Sequence, residues 1–72
     1  MKTEQLITMA NQIGEFFRSY PDQIQAEKDI ARHLNRNWAL AMRKQIAQHV
    51  TDNAGLGLDA NVIGAIKAHL KL

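Results

Sequence analysis

No cysteine occurs anywhere in the 72 residues, which excludes a disulfide and a thiolate metal site and fits a reducing cytosol. Serine occurs once, as Ser19 beside Tyr20, with no G-x-S-x-G elbow around it, so a serine nucleophile has no setting. No apolar run approaches the roughly 18 residues of a membrane span, and a soluble protein is expected. The first residues, Met1 to Gln5, lack an apolar core and carry Glu4, so they read as an ordinary cytoplasmic start rather than a signal peptide. An excess of charge is also missing: 9 Lys and Arg stand against 7 Asp and Glu, a net of +2. A chain this short forms one domain, residues 1–72, near the lower limit for a self-sufficient core. With no staple in the sequence, a partner or a second copy is the remaining common source of stability.

The small net charge hides a partition. Residues 1–31 carry Lys2, Arg18 and Lys28 against Glu4, Glu15, Asp22, Glu27 and Asp29, while residues 32–49 carry Arg32, Arg36, Arg43 and Lys44 with no acid. The basic 32–44 segment could meet an acidic protein surface or phosphates.

Helical periodicity runs through the whole chain, and nothing alternates with period two. Leu6, Met9, Ala10, Ile13, Phe16 and Phe17 make one apolar stripe, with Thr3 as expected N-cap and Pro21 ending the element. Phe16 and Phe17 cannot both face the core, so one of them is expected at an interface. Gly14 inside the stripe costs about 1 kcal/mol relative to alanine and marks close approach of another helix. A second helix starts at Asp22, with Gln25 as reciprocal cap, buries Ile24, Ile30, Ala31 and Leu34, and breaks near Asn35–Asn37. A third runs from Trp38 or Ala39 to Thr51 on Ala39, Met42, Ile46 and Val50. Gly55-Leu56-Gly57 makes a loop, and Asp59 caps a last helix that buries Val62, Ile63, Ile66 and Leu70. The fold expected is an all-α compact bundle of about four short helices.

Convergent chemistry is hard to find. His33, His49 and His69 are too far apart for a metal-ligand turn, and Gly55-x-Gly57 lacks the third glycine and preceding strand of a dinucleotide loop. No metal, cofactor or catalytic residue is assigned to the chain. What stands out is polar residues that a helix core does not need, interleaved with apolar ones: Asn11, Gln12, His33 and Arg43. Trp38, between Arg36 and Arg43, is either a core plug or an anchor in a partner's pocket. A helix-turn-helix-like nucleic-acid regulator using residues 32–44 is the alternative, weakened by having only four cations and no interleaved aromatics. A self-assembling helical dimer is a third reading.

The combination Met9-Ala10-Asn11-Gln12-Ile13, Phe16-Phe17, Pro21, Ile30-Ala31-x-His33-Leu34, Trp38 and Met42-Arg43 resembles the delta subunit of the cytoplasmic, NAD-dependent, molybdenum-containing formate dehydrogenases. The resemblance covers about residues 5–45 and reaches the last helix only as an apolar pattern. One run departs: the family's Phe-Trp-Asp-Pro-x-Met-Arg stands here as Asn37-Trp38-Ala39-Leu40-Ala41-Met42-Arg43, leaving Asn37 as the expected substitute cap of the third helix. The resemblance implies a non-catalytic accessory subunit. It would bind the large catalytic subunit or assist insertion of the molybdenum cofactor, which that partner carries and this chain does not. Asn11, Gln12, His33, Arg36, Trp38 and Arg43 are the expected partner-binding residues.

Overall fold

Four helices form where the apolar stripes predict them: α1 (Thr3–Phe16), α2 (Gln23–Asn37), α3 (Leu40–Asn53) and α4 (Ala60–His69). The computed structural model describes every residue from Met1 to Leu72 and has no strand. None of its helices is long and apolar enough to cross a membrane. Glu27 lies over Gly64 and Asn35 reaches His69, so α2 and α4 run side by side in the same direction. Gln45 reaches back to Met1 and Thr3 while the loop after α3 meets Asn11, which gives α1 and α3 a shared direction too.

Burial explains the arrangement. Leu6 and Ala10 of α1, Ile30, Ala31 and Leu34 of α2, Ile46 and Val50 of α3, and Val62, Ala65 and Ile66 of α4 form one core with Trp38 and Leu58. Alanine at 10, 26, 31 and 65 lets the backbones approach. Gly14 does the same for α1 and α4: a Cβ there would stand 2.5 Å from Val62 Cγ2, and the Gly14 carbonyl accepts a hydrogen bond from Asn61 Nδ2 at 3.0 Å. The close approach expected at Gly14 is therefore to α4.

Several expected element ends move, each for a local reason. Lys2, not Thr3, is the N-cap of α1; its N–H donates to Gln5 Oε1 at 3.1 Å, while the Thr3 hydroxyl accepts from Gln45 instead. The chain leaves α1 at Phe16, well before Pro21, through i→i+3 bonds that tighten residues 17–20. Asp22 caps α2 as expected, accepting from the N–H groups of Ile24 and Gln25, but the Gln25 side chain bonds Asp29 rather than returning to Asp22. Ile24, expected inside, is 65% exposed because Ala26 takes the buried position in that turn. Helix α2 does not break near Asn35; it runs through Asn37, and the turn falls at Trp38–Ala39, both extended. Asn37 does not cap α3, since its amide donates back to His33 O, and Ala39 occupies the cap with no side-chain bond.

Helix α3 continues to Asn53, beyond the expected Thr51, and stops where Ala54 turns left-handed at φ 56°. Gly55 and Gly57 follow with φ of 70° and 90°, a conformation that glycine adopts without steric cost. Asp59 takes the N-cap position of α4 without a capping bond from its carboxylate, which faces Arg18 at 3.6 Å. Of the residues expected inside α4, Val62 and Ile66 are buried, Ile63 and Leu70 are half-buried, and Ala65 completes the face.

A candidate binding groove and two polar corners

Helix α1 carries two adjacent apolar stripes. Leu6, Ala10 and Gly14 face the core and are fully covered, whereas Met9, Ile13 and Phe16 fall one position around the helix, on the side that looks toward α2. Met9 and Ile13 pack against the edge of the core and are only half-buried, and with the exposed Phe16 they line a groove of about 520 Å³. Phe17 closes one end, Gln12 stands on the α1 rim and His33 on the α2 rim. Trp38 is 5% exposed and belongs to the core while also lining the groove, so it forms the floor. Phe16 is 76% exposed and touches Phe17 edge-on at 5.1 Å; Phe17 in turn packs against the core. The two phenylalanines thus divide as expected, Phe17 inward and Phe16 outward.

Beyond His33 the groove opens into a second, polar cleft that shares Phe17 and adds Asp29, Arg32, Arg36 and Asn37. Arg32 lies 3.7 Å from Asp29, and Arg36 has no carboxylate partner. The rim contributed by α2 is therefore positive, while the α1 rim at Gln12 is neutral.

Elsewhere, polar side chains of the same types hold helix ends together. Asn11 donates to Gly57 O at 2.8 Å and accepts from the Asp59 N–H at 2.9 Å, so it closes the α3–α4 loop and satisfies the cap residue of α4. Arg43 donates to Trp38 O at 2.6 Å, Asn35 O at 3.2 Å and Lys71 O at 2.9 Å. Asn35 O lies in the last turn of α2, Trp38 O at its C-cap and Lys71 O beyond the end of α4, where carbonyls lack an intrahelical donor and a cation is favoured by the helix dipole. Asn35 completes this corner by accepting from the Lys71 N–H and donating to His69 O. His49 does similar work beside the glycine loop, with Nε2 at 2.7 Å from Leu56 O.

Of the six residues expected at a partner surface, the fold brings Gln12, His33 and Trp38 together in the groove and puts Arg36 in the adjoining cleft. Asn11 and Arg43 lie at the two corners, with their polar atoms engaged internally. Met9 and Ile13 share the helical period of Leu6 and Ala10, so periodicity alone assigns them to the core, and for Phe17 it says only that one of the two adjacent phenylalanines faces outward. Asn35 suggests only a helix break and Asn61 carries no signal, because the partners of their side chains lie 36 and 47 positions away.

No three His, Asp or Glu side chains converge as metal ligands would, and no buried polar side-chain atom is without a partner. The open apolar groove beside a cationic cleft is suited to binding a surface. No curated protein and no solved structure matches the chain. A model of the family described as NADH-dependent formate dehydrogenase delta subunit, FdsD, matches residues 5–66. That range takes in the groove, the Asn11 corner, Asn35, Trp38 and Arg43 of the other corner, and most of α4, where the sequence offered only an apolar pattern. With a match over most of its length, this chain belongs to the NADH-dependent formate dehydrogenase delta subunit family.

Proposed function

We propose that the chain acts in the cytoplasm as a non-catalytic accessory subunit, binding the large catalytic subunit of a formate dehydrogenase through the α1/α2 groove. In this reading the binding assists assembly of the complex and insertion of the molybdenum cofactor, which the large subunit carries. The observation that supports it most is the exposed Phe16 at the mouth of an apolar groove in a chain of this family. An aromatic ring left mostly in water beside other apolar walls gains by desolvation against a partner. Gln12, His33 and Arg36 give the rim polar contacts, and Trp38 gives the groove a rigid floor. Asn11 and Arg43 contribute by holding the two corners that frame α1 and α2.

The nucleic-acid reading loses support from Arg43, whose Nε and Nη1 donate to three backbone carbonyls. That leaves Arg32, Arg36 and Lys44 in the segment, too few for strong phosphate binding.

The test is a tagged pull-down from source cells at moderate salt after nuclease treatment, with wild type and Phe16→Asp compared by mass spectrometry. Wild type is expected to recover a large molybdopterin-type oxidoreductase subunit, and Phe16→Asp to lose it. Recovery of the tagged chain alone by wild type overturns the stable-subunit reading.

A further inference from the structure

The two rims of the groove differ in charge, and that difference bears on what fills it. Along α2, Lys28, Arg32 and Arg36 recur at every fourth residue and form one exposed basic row, which passes the polar cleft beside His33 and Phe17. On the far side of this row, Lys71 and His69 line a further cleft with the same three cations. The acids nearby are few. Asp29 is engaged by Arg32 and Gln25, and Glu15 on α1 lies 3.1 Å from Arg18. Glu4, beside Met9 and Gln12, is the carboxylate left on the α1 side.

The length of the apolar wall is equally telling. From Met9 to Phe16 a helix advances about 10 Å, two turns, which accommodates anchors spaced i, i+4 and i+7 on a second helix. We infer that the groove takes an amphipathic helix of the large subunit whose apolar ridge lies between Met9, Ile13, Phe16 and Phe17 and whose acidic flank lies along Lys28, Arg32 and Arg36. This rests on the reading above, that the groove receives the large subunit. It adds the chemistry of the receiving segment and its orientation, with carboxylates on the α2 side. A second copy of this chain is a poorer occupant: seated through its own α1 it offers Glu4 and an already paired Glu15 against three cations.

The experiment measures binding of the purified large subunit to wild type, Phe16→Asp, and the pair Arg36→Gln and Arg32→Glu/Arg36→Glu, at low and high salt. Circular dichroism checks folding of each; Arg36→Gln keeps the test open should the double reversal not fold. Phe16→Asp is expected to bind weakly at every salt concentration. The charge reversal is expected to lower affinity about ten-fold or more at low salt, mainly through a slower on-rate, and to flatten the salt dependence, with Arg36→Gln intermediate. Loss with Phe16→Asp but none with the charge variants overturns the acidic flank and leaves the groove reading intact. No loss with any variant overturns both. Loss with the charge variants alone overturns the helix in the groove. Two further results overturn the inference: tight, salt-sensitive binding of wild type to duplex DNA that the charge reversal abolishes, and a concentration-dependent dimer that Phe16→Asp dissociates.

Discussion

Arg43 and Arg36 stand one helix apart in the same basic segment, yet one is built into the frame and the other is free. At the α2–α3 corner, the turn at Trp38–Ala39 exposes carbonyls with no helical donor, and the chain's end brings Lys71 O within reach; a guanidinium placed there finds three acceptors. Arg36 lies one helix away on the exposed face of α2, where no carboxylate or carbonyl partner engages its guanidinium and the polar cleft opens beside it. Asn11 and Gln12 repeat the contrast one residue apart on α1. Asn11 meets the α3–α4 loop, whereas Gln12 stands on the groove rim. A polar side chain becomes structural here when a helix end lies opposite it, and its residue type alone does not say which outcome holds.

The largest test of that contrast is Arg43→Ala. Removing a charged donor from three carbonyls is expected to lower stability by about 2–3 kcal/mol, much of what a core of this size supplies. Urea denaturation followed by far-ultraviolet dichroism reads this as a lower midpoint. Unchanged stability together with lost association would move Arg43 from the frame to the contact. Asn11→Ala comes next, at about 1–2 kcal/mol, because it leaves the Asp59 N–H and Gly57 carbonyl without their partner. Hydrogen exchange at residues 57–63 is expected to rise more than at α2; uniform change across the chain would contradict a local closure.

Gly14→Ala sets two effects against each other. Alanine gains about 1 kcal/mol in helix propensity, but overpacking against a fully buried Val62 costs about 1–3 kcal/mol. The expected result is a net loss of about 1 kcal/mol; a gain would show that α4 shifts freely. Phe16→Ala carries the smallest expected change in stability, within about 0.5 kcal/mol, since the ring is mostly in water. Its association with the large subunit is expected to fall strongly, and a drop in stability with intact binding would place Phe16 in the core instead.

How far the sequence could be read follows from the range of the interactions. Helix α1 is legible because its apolar residues from Leu6 to Phe17 repeat with helical period, and Asp22 is legible as a cap because its two acceptor bonds close within three residues. Asn37, the expected cap of α3, does not serve as one for the complementary reason: its amide donates to His33 O four residues back instead. The groove was half legible. Its polar rim residues stood out against the stripe, but the walls looked like any other core positions until the packing showed which face the core used.

By itself the sequence determined four helices, their approximate lengths, the absence of thiol chemistry and the family, since these depend on local periodicity, composition and short motifs. Only the tertiary structure decided which of two adjacent stripes on α1 is buried, that Asn11 and Arg43 serve the frame, and that Gln12, His33, Trp38 and Arg36 share one surface. Those outcomes depend on which helix ends come to lie opposite which side chains, and such contacts are set by packing between residues far apart in the chain.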